Sequence, residues 1–118
     1  MKKSSALFPA DDLLPGASRR AVVDGVAMVV IRLSDGSLRA MRDRCPHEGA
    51  RLSDGFIVPM LAGDEVGKYR LTETMLLRCP WHGYEFDLAT GQCPADPVRA
   101  RVRVYDVRTE DGMIVVDR

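Results

Sequence analysis

The stretch RRAVVDGVAMVVIRLSDGSLRAM, Arg19 to Met41, decides the fold class. Runs of valine, isoleucine and alternating residues are broken at Asp24-Gly25 and Asp35-Gly36. Asp-Gly tolerates positive φ, so each break reads as a tight turn between antiparallel strands. The same pattern returns near the C-terminus in VRVYDVRTEDGMIVVD, around Asp111-Gly112, and a fourth Asp-Gly stands at Asp54-Gly55. No stretch carries a 3.6-residue apolar period of helix length. The expectation is an all-β protein, a small antiparallel β sandwich or barrel. In RARVRV, Arg99 to Val104, the arginines read as the wet face of an alternating strand. Met28 and Met41, at strand positions, read as core.

At 118 residues the chain has the length of one domain, 1–118, and 46% hydrophobic with 29% charged residues marks it as globular. Lysine plus arginine and aspartate plus glutamate both total 17. That balance argues against binding nucleic acid or a membrane surface through a strong basic field. The longest apolar run, VAMVVI (Val26 to Ile31), is too short to span a bilayer. The opening MKKSSALFPADDLL has no apolar run suited to export, so the expected place is the cytoplasm, where cysteines stay reduced.

The chemistry concentrates in two short stretches, CPHEGA from Cys45 and CPWHGY from Cys79. The chain has two histidines, His47 and His82, and each follows a Cys-Pro. A thiolate and an imidazole in each loop can serve one metal centre, and the proline stiffens the turn behind each cysteine. Two metals fit a Cys2His2 set: one tetrahedral zinc, or a 2Fe–2S cluster with cysteines on one iron and histidines on the other. Spacing alone does not separate them.

The surrounding residues resemble the Rieske family. CPHEGA with CPWHGYEFD is similar to its paired Cys-x-His and Cys-x-x-His motifs, each followed by glycine, here Gly49 and Gly83. The segment from Tyr84 to Gly91 resembles the strand and turn that leave the second loop. The resemblance implies a Rieske-type fold with a cluster-binding part at about 43–97, formed by two loops. It implies one 2Fe–2S cluster, with Cys45 and Cys79 on one iron and His47 and His82 on the other through Nδ1. Gly49, Trp81, Gly83, Tyr84 and Pro94 would surround it, and CPADP (Cys93 to Pro97) would cover one side. Gly49 and Gly83 also suit unusual loop angles. Trp81 reads either as shield or partner contact, or as ordinary packing. Cys93 reads as a small buried residue rather than a reactive thiol.

High-potential members carry an extra cysteine in each loop, where this chain has Ala50 and Trp81. They also carry a serine and a tyrosine that donate to the cluster, where this chain has Tyr84 and Phe86. The implied potential is low for the family, roughly −150 mV. The resemblance then points to a monomeric ferredoxin that carries single electrons from a flavin-dependent reductase to a terminal oxygenase. The alternatives are a small subunit of an assimilatory reductase such as nitrite reductase, and a structural zinc module. A fused oxygenase is excluded, because both histidines are used and no set remains for a mononuclear iron; the chain reads as a carrier and not an enzyme. Residues 55–78 form an insert between the motifs, with a loop centred on Gly63 to Gly67 and one or two short strands after it. They read equally as an elaboration for a particular partner or as a solvated loop with no role.

Overall fold

The computed structural model describes residues 3–118 apart from 47, 48, 66, 67, 82 and 99, with residues 61–73 described by backbone alone. Among the described residues there are nine strands: β1 Ser4–Pro9, β2 Ser18–Val23, β3 Val26–Arg32, β4 Leu38–Arg42, β5 Phe56–Glu65, β6 Lys68–Arg78, β7 Glu85–Asp87, β8 Val104–Glu110 and β9 Met113–Asp117. They form a six-stranded sheet in the order β1-β9-β8-β4-β3-β2 and a three-stranded sheet in the order β5-β6-β7. Each of these pairings is antiparallel. No helix among the described residues is long and apolar enough to cross a membrane.

The turn chemistry read from the sequence is met at three Asp-Gly pairs. Asp24 and Gly25 have φ of 49° and 80°, and Asp111 and Gly112 have φ of 52° and 76°, the paired left-handed residues of a two-residue hairpin turn. The β3–β4 turn differs, since only Gly36 has positive φ, at 89°. There Asp35 accepts hydrogen bonds from the Ser37 amide at 2.9 Å and hydroxyl at 2.6 Å. The hydroxyl bond, then the amide bond, holds the Asp35 carboxyl below the ordinary carboxylate range.

Gly55 departs from the pattern. Its φ is −89°, so no turn angle demands glycine. A Cβ there would collide with the Arg78 carbonyl oxygen, and glycine lets the two backbones approach. Gly91 meets the Val102 carbonyl in the same way.

Strand β3 explains the unbroken run VAMVVI. Val29 and Ile31 point into one buried cluster with Met41, Leu77 and Phe86. Met28 and Val30 point into a second, with Tyr105, Ile114 and Val116. A strand buried on both faces loses the polar half of its alternation. Met28 and Met41 are both core, one in each cluster.

Two readings of the sequence change. The expected loop at residues 63–67 is largely strand: β5 runs to Glu65, β6 starts at Lys68, and Glu65 pairs with Lys68. The register shifts between Ala62 and Glu65, so Gly63 marks an irregularity in a paired strand. In RARVRV the burial alternates as expected, with Ala100 and Val102 buried and Arg101 and Arg103 exposed. The ladder is shorter, however: Arg101 makes only an isolated bridge to Gln92, and β8 begins at Val104.

These two kinds of glycine should separate in urea unfolding of the purified protein. Gly55→Ala should destabilise by about 3 kcal/mol, because backbone must move. Gly112→Ala, with open space around its Cβ position, should cost about 1 kcal/mol from its left-handed angle alone. Equal losses would contradict the close approach of Gly55 to Arg78.

Candidate metal centre

The two Cys-Pro stretches fold alike. The Cys45 amide donates to the Ala50 carbonyl at 2.8 Å, and the Cys79 amide donates to the Tyr84 carbonyl at 2.6 Å. Each loop therefore closes on the residue five positions on. Each has a left-handed glycine one residue before that acceptor, Gly49 at φ 73° and Gly83 at φ 69°. The proline after each cysteine fixes one φ, and the glycine supplies the angle that other residues resist. Cys45 is 0% exposed and Cys79 1%, and both sit in one buried cluster with Ala50, Leu52, Leu77 and Phe86. Pro46, Pro80 and Trp81 on the same loops are exposed.

The loops are closed at their bases by different means. The second springs from the β6–β7 ladder, where Arg78 pairs with Glu85, and the Arg78 Nη2 to Glu85 Oε2 distance is 2.9 Å. The first leaves β4 and ends in a 3-10 turn, Leu52–Asp54. There the Asp43 carboxylate, 0% exposed, spans the base. It accepts from the Ser53 amide at 2.7 Å, the Ser53 hydroxyl at 2.6 Å and Arg20 Nη1 at 2.6 Å. The Asp43 amide donates to Ala27 of β3 at 3.0 Å. The Gly55 contact with Arg78 then sets the exit of the first loop against the entry of the second.

A third loop lies beside the second. The Cys93 amide donates to the Ala100 carbonyl at 3.0 Å, and the Asp96 amide donates to the Cys93 carbonyl at 3.0 Å. A cavity of about 280 Å³ separates Gly83 and Tyr84 from Cys93, Pro94 and Ala95.

Of the residues singled out from sequence, Cys45, Cys79, Gly49, Gly83 and Tyr84 come together as the two loops, and Pro94 stands across the cavity. His47 and His82 lie outside the described residues. Trp81 is 55% exposed, so ordinary packing does not explain it. Cys93 is buried at 2%. Sequence reasoning missed Asp43, Arg20 and Ser53. Only Asp43, an acid just ahead of Cys45, gave any local sign. Arg20 is 23 residues away, and nothing in its surroundings marks it.

All three cysteines are free of disulfides. Cys45, Cys79 and Cys93 all lie in one buried cluster, and the like-folded loops set Cys45 and Cys79 apart as a pair. Two buried thiols so placed suit a soft metal centre, since buried thiolates need a cation to offset their lost hydration. The donor set on the two loops thus fits an iron–sulfur group.

Comparison with known proteins agrees. The Rieske [2Fe-2S] domain family matches residues 4–106. The naphthalene 1,2-dioxygenase system ferredoxin component of Pseudomonas putida is 28% identical over 106 residues, covering 90% of this chain and 86% of the relative. A Mycobacterium tuberculosis structure assigned as an NADH-dependent nitrite reductase small subunit has a TM-score of 0.80 and 30% identity, covering 100% of this chain and 96% of that one. A ferredoxin structure, solved as a complex of reduced oxygenase and oxidised ferredoxin in carbazole 1,9a-dioxygenase, has a TM-score of 0.70 and 28% identity, covering 96% and 91%. Buried paired cysteine loops in a nearly all-β frame, with a family match across most of the length, place this chain in the Rieske family, whose cofactor is one 2Fe–2S cluster.

Proposed function

We propose that this protein is a one-electron carrier in which Cys45 and Cys79 ligate one iron and His47 and His82 the other. In this reading it takes electrons from a flavin-dependent reductase and passes them to a terminal oxygenase. The observation that carries it is the pair of like-folded loops with both cysteines in one core. The ferredoxin relative, matched over 86% of its length, supports the carrier role. The solved complex of oxygenase and ferredoxin supports the partner. When bound, the cluster supplies a one-electron couple.

The chain's own part is to bind, to shield and to present. The buried cysteines keep water from the thiolate side. Trp81, exposed between Cys79 and His82, offers an apolar plate where a partner can approach. In this reading both histidines serve the cluster, and chemistry on a substrate is the partner's task. Its place is the cytoplasm, and it works as a monomer. A second reading, the small subunit of a nitrite reductase, is favoured by the likeness to the mycobacterial structure. Co-purification separates the two: an oxygenase partner supports the first and a nitrite-reducing subunit the second.

Aerobically purified protein should be coloured and contain iron and acid-labile sulfide in about equal amounts. A colourless protein with one zinc would end the proposal. Voltammetry should place its potential at roughly −150 mV, the low end of the family range.

Substitution tests the ligand assignment. Cys45→Ala, Cys79→Ala and His82→Ala should each lose the visible spectrum. Cys93→Ala should keep the colour and cost about 1 kcal/mol of stability. Bleaching by Cys93→Ala with colour retained in His82→Ala would reverse the assignment.

A further inference from the structure

Resting on the carrier reading, we infer that the Arg20–Asp43 pair sets the reduction potential of the cluster, with the buried Asp43 as the end that lowers it. Asp43 receives three hydrogen bonds and its carboxylate oxygens donate none: Oδ1 accepts the Ser53 amide, and Oδ2 accepts Arg20 Nη1 and the Ser53 hydroxyl. Both oxygens thus face donors, one of them the Arg20 guanidinium. The Asp43 side chain is 0% exposed, whereas the Arg20 side chain is 32% exposed. Water therefore screens the positive end and not the negative one.

The two ends also differ in their approach to the site. Asp43 stands two residues before Cys45, so their Cα atoms are within about 7.6 Å of each other. Arg20 comes from β2, which is the edge of the six-stranded sheet and carries no cysteine. The negative end is thus tied by the chain to a cysteine loop, and it is the less screened of the two. A fixed negative charge in a low-dielectric surrounding opposes the arrival of an electron. The pair thus acts as an oriented dipole that favours the oxidised cluster.

A purely structural clip makes a different prediction. Breaking it from either side would loosen the same loop base and move the potential in the same direction. A dipole separates its halves. Asp43→Asn removes the negative end and should raise the midpoint. Arg20→Gln leaves the carboxylate uncompensated and should lower it. Arg20→Lys keeps the charge and should leave it near the wild-type value.

The measurement is voltammetry of the cluster-loaded full chain, with urea unfolding as a check on fold. Asp43→Asn should shift the oxidised-to-reduced ratio at fixed potential about tenfold, or about 59 mV for one electron. Arg20→Gln should shift it less, and in the opposite sense. Shifts of the same sign in both variants, or none in either, overturn the inference and leave a structural clip. Should Asp43→Asn fail to take up the cluster, the half-exposed Arg20 decides: Gln below Lys supports the dipole, and equal potentials refute it. Absence of a cluster from the wild-type protein would instead refute the carrier reading.

Discussion

A carboxylate without water holds the base of the first cysteine loop. The second loop has a strand ladder beneath it, β6 against β7, which pairs backbone to backbone across its base. The first has none, because its exit is a 3-10 turn. Asp43 takes the place of the ladder, bonding to Ser53 across the loop and to Arg20 across to the edge strand. An isolated carboxylate in that position would cost several kcal/mol in lost hydration, and three donors offset it. Leaving a buried carboxylate short of a partner costs more than the roughly 0–1 kcal/mol typical of an exposed pair such as Arg78 with Glu85.

The rest of the frame delivers the two loops to one place. Strand β3 is apolar on both faces, so it is shared between two cores. One core closes the sheet formed with β4, β8 and β9, and the other faces the three-stranded sheet and receives Cys45 and Cys79. Gly55 then fixes the spacing of the loops, since its missing Cβ is what lets the first loop's exit lie on the Arg78 backbone. Frame, spacing and loop base are separate devices, and each rests on a different residue type.

The same economy appears in the loops. Both use a Cys-Pro start, a left-handed glycine and a bond from the cysteine amide to the fifth residue on. Trp81 occupies the extra position in the second loop and stays at the surface, which leaves the core side of the loop to the cysteine.

Much of this was legible in the sequence. Asp24-Gly25 and Asp111-Gly112 specify their turns, because a two-residue hairpin demands two left-handed angles that few other pairs tolerate. VAMVVI announced a strand, and the two Cys-Pro stretches announced a metal centre and its family. These are local signals, carried by residues adjacent in the chain. Tertiary structure alone decided the remainder. Asp54-Gly55 looks like another turn, yet Arg78, distant in sequence, is what requires the glycine. Gly63 suggested a loop, but pairing of β5 with β6 kept it in a strand. Asp43 is one acid among seventeen acidic residues until Arg20 and Ser53 surround it. A sequence fixes what a residue can do with its neighbours along the chain, whereas burial and distant hydrogen bonds exist only once the sheets have packed.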